Sequence, residues 1–354
     1  MSMSDAFKPI ALTMGDVAGI GPEIIAKSFR EAAAQTRGCL VVGQVLAMQR
    51  AIQVLHDAHP GHPRLTLLPV SQIQDLPSDL PAFTVPVLQV PFDSSAAHLP
   101  AWGHVSGVAG QWAADAVTWA AHAALRNEVS AVVTAPLHKE ALAAAGVPYP
   151  GHTELLQACA ALHAGLAVSD MPVRMMLAND ELRTVLVSIH VSLRDAIEAV
   201  TIENVLQTLR ITHQAQLRAT GQAPHMGVAG LNPHAGEGGL LGREELDIII
   251  PALQQARAEG LWVSGPFAPD TVFMRARNTA DKRGEFDVVI AMYHDQGLIP
   301  VKYLGVDEGV NVTLGLPLVR TSPDHGTAFD LAGTGKASPA SFLAALAMAR
   351  KLVV

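Results

Sequence analysis

Short runs of Val, Ile and Leu recur along the chain with Ala-rich stretches of helical character between them. This alternation restricts the fold more than any other feature. Candidate strands cover residues 10–14, 39–42, 131–134, 173–177, 183–189, 226–230, 286–292 and 310–314. Runs this apolar suit strands covered by helices on both faces, hence an α/β fold with a largely parallel sheet. At 354 residues the chain is long for a single hydrophobic core, so two lobes with a cleft between them are expected. The stretch 80–100 carries Pro81, Pro86, Pro91 and Pro100. Such spacing excludes a helix and predicts an extended surface connection or edge segment, because proline donates no ladder hydrogen bond.

Composition removes several classes of function. Hydrophobic residues make up 49% and charged residues 16%, which excludes disorder. The mean hydropathy of +0.27 comes largely from alanine, and the Ala-rich stretch 111–125 is interrupted by Asp115 and His122. No apolar run reaches the ~18 to 20 residues of a spanning helix, so no membrane partner is expected. Met1-Ser-Met-Ser-Asp-Ala-Phe-Lys-Pro9 lacks a basic start followed by an apolar block, so export is not expected. Cys39 and Cys159 are too few for a disulfide framework; they read as buried small hydrophobes in a reducing cytoplasm. A net charge of −8 argues against nucleic acid. It leaves room for a small anionic substrate, since a local cluster of Lys and Arg can dominate one pocket.

Three histidines stand where apolar runs stop, in Val185-Leu-Val-Ser-Ile-His190, Met226-Gly-Val-Ala-Gly-Leu-Asn-Pro-His234 and Asp287-Val-Val-Ile-Ala-Met-Tyr-His294. The carboxyl ends of parallel strands share one edge, where ligands bind. Imidazoles brought there from distant parts of the chain can hold a divalent metal. His56-Asp-Ala-His-Pro-Gly-His62 also resembles a metal cluster, but Pro and Gly make it a turn, and a solvated loop is expected.

Other motifs sit at strand–helix junctions. In Thr13-Met-Gly-Asp-Val-Ala-Gly-Ile-Gly-Pro-Glu-Ile24, Pro22 and Glu23 are helix-start residues, and Ile24, Ile25, Ser28 and Phe29 mark the packed face. The third glycine of a dinucleotide fingerprint is replaced by Ile24, so a tight turn is expected rather than a cofactor site. Pro150-Gly-His-Thr-Glu-Leu155 reads as loop into helix, with Thr153 as a cap and His152 able to orient a substrate or act as a base. The run from Asn232 to Glu245 and Tyr293-His-Asp-Gln-Gly-Leu-Ile-Pro-Val-Lys302 are rich in Gly and polar groups. Lys302, Asn311 and Arg320 suit a phosphate or carboxylate. The glycine-rich run from Ser322 to Gly335 adds an imidazole and backbone donors.

At these residues the chain resembles the 4-hydroxythreonine-4-phosphate dehydrogenase family of vitamin B6 biosynthesis. The match runs through Gly15-Asp16, Gly19-Ile-Gly-Pro-Glu23, Gly151-His-Thr-Glu154, Asn232-Pro-His-Ala-Gly-Glu-Gly-Gly239, Tyr293-His-Asp-Gln-Gly297, Asn311-Val-Thr-Leu-Gly-Leu-Pro317 and Asp324-His-Gly-Thr327. The wider superfamily is that of isocitrate and isopropylmalate dehydrogenases, similar in Gly-Ile-Gly-Pro-Glu and in His325-Gly-Thr with Asp330. Two positions depart from the family: Val17 replaces a usual proline, and the segment between His152 and His190 is longer.

The resemblance implies two α/β/α lobes with a largely parallel sheet. Residues 1–150 and about 305–354 would form the cofactor-side lobe; about 151–304 would form the lobe with the metal ligands and dimer contact. His190, His234 and His294 would hold one divalent cation (Zn, Mg or Co), with one ligand from the second subunit of a homodimer. Asp270, in Pro-Asp-Thr-Val-Phe273, would lie beside the metal. His152, Thr153, Lys302, Asn311 and Arg320 would bind substrate, the last three around a phosphate. NAD or NADP would lie against the loop 325–336, at His325, Gly326, Thr327, Asp330 and Gly333. The implied reaction is oxidation and decarboxylation of a β-hydroxy acid, with His152 or Asp270 taking the alcohol proton. The implied substrate is 4-phosphohydroxy-L-threonine, giving 3-amino-2-oxopropyl phosphate and CO2. The alternatives are terephthalate cis-dihydrodiol or a phosphorylated threonate or erythronate. A metal-dependent hydrolase, outside this chemistry, would turn over without nicotinamide.

Overall fold

The computed structural model describes residues 8–91, 98–305 and 308–353. Residues 1–7, where an export signal is not expected, lie outside them. Strands are β1 (Ile10–Thr13), β2 (Cys39–Gly43), β3 (Thr66–Val70), β4 (Thr84–Gln89), β5 (Ala131–Thr134), β6 (Arg174–Ala178), β7 (Arg183–Leu186), β8 (Met226–Ala229), β9 (Val263–Phe267), β10 (Val288–Ala291), β11 (Val310–Leu314) and β12 (Arg320–Pro323). Helices are α1 (Gly21–Glu31), α2 (Ala33–Thr36), α3 (Val45–Ala58), α4 (Gly107–Leu125), α5 (Lys139–Ala144), α6 (His152–Ala164), α7 (Leu193–Glu198), α8 (Ile202–Thr220), α9 (Ile250–Ala258), α10 (Val272–Ala276), α11 (His294–Leu304) and α12 (Ala340–Leu352). Among the described residues no helix is long and apolar enough to cross a membrane.

The chain divides into two compact units. The first runs to Met171 and resumes from Leu316 to Val353; the second is Pro172–Gly315. These divisions fall later than the sequence boundaries near 150 and 305. The reason is packing: α6 lies against α4 and buries Leu155, Leu156 and Cys159, which keeps it in unit 1. At the other boundary, β11 pairs with β6, which keeps it in unit 2.

In unit 1 the strand order is β3-β4-β2-β1-β5-β12, parallel at every pairing. All four residues of β1 are buried, as expected of a strand covered on both faces. Leu40, Val42, Leu88 and Val132 pack with Ala116 and Ala120 of α4 in one core. The proline-rich stretch departs from expectation: β4 lies inside the sheet, between β2 and β3, with Pro86 opposite Leu68. Burial of Val85, Val87 and Leu88 outweighs the one ladder donor that Pro86 lacks.

In unit 2 the order is β11-β6-β7-β10-β8-β9. β7, β10, β8 and β9 are parallel, while β6 is antiparallel to both β7 and β11. A tight turn makes that exception: Asn179 Oδ1 accepts the N–H groups of Glu181 at 2.9 Å and Leu182 at 2.8 Å, an Asx turn. Leu177, Leu186, Val289, Phe273, Phe286 and Leu298 share the core beside this sheet. Cys39 and Cys159 are both free and buried, and burial pushes the Cys39 thiol up to about 12, leaving it protonated and inert.

α4 and α5 approach so closely that a Cβ on Gly110 would lie 2.0 Å from the carbonyl oxygen of Ala141. Gly110→Ala is therefore expected to lower the unfolding free energy by about 1–3 kcal/mol through overpacking. Urea denaturation would read this, and an unchanged midpoint would contradict the close approach.

Candidate active site

The carboxyl edge of unit 2 collects the residues singled out as metal ligands. β7, β10, β8 and β9 are neighbours in that order and run parallel, so the chain leaves all four at the same edge. His190 comes after β7, His294 opens α11 after β10, His234 lies in the loop after β8, and Asp270 comes after β9. The rings of His190 and His294 are 5.6 Å apart and tilted. His234 and Asp270 line a pocket of about 620 Å³ with Phe273, Tyr293, Gln296 and Ile299. Among the described residues, no three His, Cys, Asp or Glu side chains of this one chain are grouped so as to hold a metal ion. Within the chain two of these imidazoles, His190 and His294, approach as a tilted pair, and His234 follows a strand of the same edge.

Each of these histidines has an anchored neighbour. Ser188 Oγ donates to the carbonyl of Met292 at 3.0 Å, joining the ends of β7 and β10. Gln296 Oε1 accepts the N–H of Met292 at 2.7 Å, and its Nε2 donates to the carbonyl of Gly230 at 2.8 Å, joining β10 to β8. The third anchor is a carboxylate. Through Pro233–Gly239 the backbone enters the left-handed region at His234, Ala235, Gly236, Glu237 and Gly238, which is costly for the three that carry a Cβ. Glu245, only 1% exposed, accepts the N–H groups of Leu231 at 2.7 Å and Asn232 at 2.8 Å, and the Asn232 side-chain amide at 2.9 Å. Charge-assisted bonds of this kind are strong enough to hold such a loop.

The substrate-binding candidates are divided between the units. His152, Thr153 and Arg320 belong to unit 1, whereas Lys302, on α11, and Asn311, on β11, belong to unit 2. Thr153 is not the cap expected of it: Gly151 occupies that position, and no side chain caps the helix. His152 opens α6. Its Nε2 is buried with no hydrogen-bond partner, while the ring is hydrogen-bonded to the backbone of Ala135. Burial first, and then the charge of Arg320, hold this imidazole well below its ordinary value of 6.5. Arg320 is itself buried, lowered to about 10 by desolvation against the pull of Glu154. It donates from Nε and Nη2 to Thr134 Oγ1, at 3.2 and 2.7 Å.

The first glycine loop is the tight turn expected. Gly15 has φ +65°, and a Cβ there would lie 2.2 Å from the carbonyl oxygen of Pro136; one on Gly21 would lie 2.2 Å from that of Met14. Between them Asp16 is buried, its Oδ1 accepting the N–H of Ala18 at 2.8 Å. In the loop 325–336, His325, Gly326 and Asp330 are exposed and Thr327 is buried; the Thr327 carbonyl accepts the N–H of Ile20 at 3.0 Å. The histidine-rich run 56–62 is less solvated than expected. His56 lies on α3, where its Nε2 accepts the N–H of Leu65 at 3.0 Å, and His59 Nε2 bonds the Gly335 carbonyl at 3.2 Å.

Comparison with known proteins identifies the family. The family described as pyridoxal phosphate biosynthetic protein PdxA matches residues 35–349. The chain belongs to this family. A PdxA-family relative from Beijerinckia indica, 4-hydroxythreonine-4-phosphate dehydrogenase, is 51% identical over 98% of this chain and 95% of its own. Another, D-threonate 4-phosphate dehydrogenase of Pectobacterium atrosepticum, is 40% identical over 98% of this chain and 99% of its own. The solved 4-hydroxythreonine-4-phosphate dehydrogenase of Klebsiella pneumoniae superposes with a TM-score of 0.86 at 38% identity, covering 98% of this chain and 100% of that one. Like these relatives, the chain is a dehydrogenase.

Ser188, Gln296 and Glu245 were not singled out in the sequence. Glu245 had the clearest signal, as the carboxylate that closes the Gly-rich run beginning at Asn232. Glu245→Ala would strip two backbone amides of their acceptor, and a loss of about 2–3 kcal/mol of stability is expected, measured by urea denaturation. A loss under about 0.5 kcal/mol would remove Glu245 as the anchor of that loop.

His152 makes stability depend on pH. Its folded value is depressed, so below about pH 6.5 the unfolded chain binds a proton that the folded ring refuses, and stability falls as pH falls. His152→Gln is expected to lose less stability than the natural protein between about pH 7.5 and about pH 5. Parallel stability profiles of the two proteins would show that this imidazole is not depressed.

Proposed function

We propose that this chain is a divalent-metal-dependent, NAD(P)-linked dehydrogenase that oxidises and decarboxylates 4-phosphohydroxy-L-threonine. The products would be 3-amino-2-oxopropyl phosphate and CO2, in pyridoxal phosphate biosynthesis. The observation that carries the reading is the adjacency of parallel β7, β10 and β8, from which His190, His294 and His234 leave at one edge. The 51% identical relative and the solved Klebsiella pneumoniae protein, both 4-hydroxythreonine-4-phosphate dehydrogenases, support the substrate. A second reading, D-threonate 4-phosphate, is supported by the Pectobacterium atrosepticum relative; threonate carries a hydroxyl where threonine carries an ammonium.

His190, His234 and His294 would hold the cation, Zn, Mg or Co, with one of the three supplied by the second subunit of a homodimer and Asp270 beside it. Imidazole and carboxylate donors fit such an ion, and the close approach of the His190 and His294 rings, 5.6 Å between centroids, supports a common ligand. When bound, the cation supplies Lewis-acid polarisation of the substrate alcohol and NAD(P)+ supplies the hydride acceptor.

The chain's own residues bind the anion and move the proton. Lys302, Asn311 and Arg320 would take the phosphate, giving local positive charge to a protein of net charge −8. Thr153 would add a hydroxyl contact. With one ring nitrogen engaged by Ala135 and the ring held neutral, the lone pair of His152 falls on Nε2. That atom is unpartnered, so His152 rather than Asp270 is assigned as acceptor of the alcohol proton. Oxidation leaves a carbonyl β to the carboxylate, and such an acid sheds CO2. NAD(P)+ would lie against His325, Gly326, Thr327, Asp330 and Gly333. With both cysteines free and buried, we assign the protein to the cytoplasm.

The test is NAD(P)H absorbance with purified, metal-loaded protein, offering phosphohydroxythreonine, D-threonate 4-phosphate and terephthalate cis-dihydrodiol in parallel. Phosphohydroxythreonine is expected to turn over fastest, with activity abolished by a chelator. His234→Ala should keep its fold and lose about 100-fold or more in kcat/KM. Full activity of that variant would remove the metal assignment, fastest turnover of D-threonate 4-phosphate would favour the second reading, and turnover without nicotinamide would indicate a hydrolase.

A further inference from the structure

Glu23 occupies the first turn of α1, where a carboxylate usually faces solvent beside its own helix N-terminus. Here it is 0% exposed and reaches out of its helix to a loop more than 300 residues away. One oxygen accepts the N–H of Gly333, and the other accepts the N–H of Gly335 at 2.8 Å. Two amides two residues apart, turned to the same anion, form a backbone nest. The glycines are required for it: Gly333 has φ +79° and Gly335 φ +69°. A Cβ on Gly333 would lie 2.6 Å from the Trp102 ring, and one on Gly335 would lie 2.8 Å from Ala58 Cβ.

The same stretch of chain holds the loop at a second point. Ile20 donates its N–H to the Thr327 carbonyl at 3.0 Å, and Gly19 passes so near Thr327 that a Cβ would lie 2.9 Å from its side chain. Gly19-Ile-Gly-Pro-Glu23 thus grips the loop at Thr327 and at Gly333–Gly335, while His325, Gly326 and Asp330 stay exposed. Burial pushes the Glu23 carboxyl above its ordinary value, opposed first by the Gly333 and Gly335 amides and then by the charges of Lys27 and Arg50. Each is tied down, Lys27 by the Ala337 carbonyl at 2.7 Å and Arg50 by those of Pro100 and Val17 at 2.6 and 2.9 Å.

We infer that Glu23 is a positioning residue for the nucleotide, its buried carboxylate fixing the 325–336 loop in the shape that receives NAD(P)+. The inference rests on the reading of that loop as the cofactor cradle. It gives the first glycine motif a role that its missing fingerprint glycine left open: scaffold of a second loop rather than cradle itself. A loop freed from this carboxylate must be ordered by the nucleotide on binding, which weakens affinity for that ligand alone.

The experiment uses the full-length protein and measures NAD(P)+ affinity by calorimetry, steady-state KM values for nucleotide and hydroxy acid, and amide hydrogen exchange over 325–336. Glu23→Ala is expected to raise the nucleotide Kd and KM by about tenfold or more, leave the hydroxy-acid KM within about twofold, and speed exchange at Gly333 and Gly335. Glu23→Gln, which keeps the shape and one acceptor oxygen, is expected to recover part of the loss. Should Glu23→Ala fail to fold, Glu23→Gln alone decides, through faster exchange at those two amides and a weaker nucleotide Kd. Asp330→Ala separates the two readings. If it leaves nucleotide affinity unchanged, the cradle assignment falls and this inference with it. If it weakens the nucleotide while the Glu23 variants do not, this inference alone is overturned. Equal losses in both KM values would make Glu23 a general stabiliser and would also overturn it.

Discussion

Parallel pairing of β7, β10, β8 and β9 is the constraint on which the candidate metal edge depends. Four strands from well-separated parts of the sequence are locked in one direction by their ladders, so the residues after each strand emerge on the same side. Reversing a single strand would send its histidine or aspartate to the opposite edge. The antiparallel strands β6 and β11 stand beyond β7 and leave this run unbroken. Sequence distance is therefore no obstacle to a shared site, and Val, Ile and Leu burial, rather than any ligand, sets where His190, His234, His294 and Asp270 begin.

Both units meet a second problem in the same way. Their candidate loops are rich in glycine and demand left-handed backbone, which leaves amides pointing away from any regular ladder. In unit 2 Glu245 gathers the N–H groups of Leu231 and Asn232; in unit 1 Glu23 gathers those of Gly333 and Gly335. Asp16 does the same on a smaller scale with Ala18. Each donor aimed at a buried carboxylate offsets part of its desolvation cost, more fully at Glu245 and Glu23 than at Asp16. Part of the chain's acidic character is thus internal and structural.

The strands that could be read from sequence were the predominantly apolar ones: β1, β2, β5, β6, β7, β8, β10 and β11 differ from the expected bounds by no more than a few residues. The others were hidden by composition. β12 is Arg-Thr-Ser-Pro and β9 is Val-Ser-Gly-Pro-Phe, polar or broken segments whose pairing is imposed by neighbours already in the sheet. β4 was hidden by Pro86 for the same reason. The candidate ligands were legible because a histidine closing an apolar run carries both its chemistry and its place. Their supports were not: a glutamate that anchors a loop looks like any surface glutamate until its burial is known. Thr153 shows the converse error, since a residue type suited to capping says nothing about which neighbour the helix starts from.

His190 and His234 share one further property that composition cannot reveal. Both have φ of +52°, a left-handed conformation that costs a residue with a Cβ roughly 1–2 kcal/mol. Glycine or asparagine would relieve that cost at either position, so the strain is tolerated for the sake of the side chain. A left-handed residue turns its Cβ away from the path that an extended strand would give it. At the end of a parallel strand this changes the direction in which the imidazole leaves the edge. Two ring directions set by backbone conformation, rather than by rotamer choice alone, lose little freedom when a ligand binds. For the donors proposed above, the backbone would set ring direction before a cation arrives, and the bonds that Glu245 makes to Leu231 and Asn232 would help hold the loop of His234.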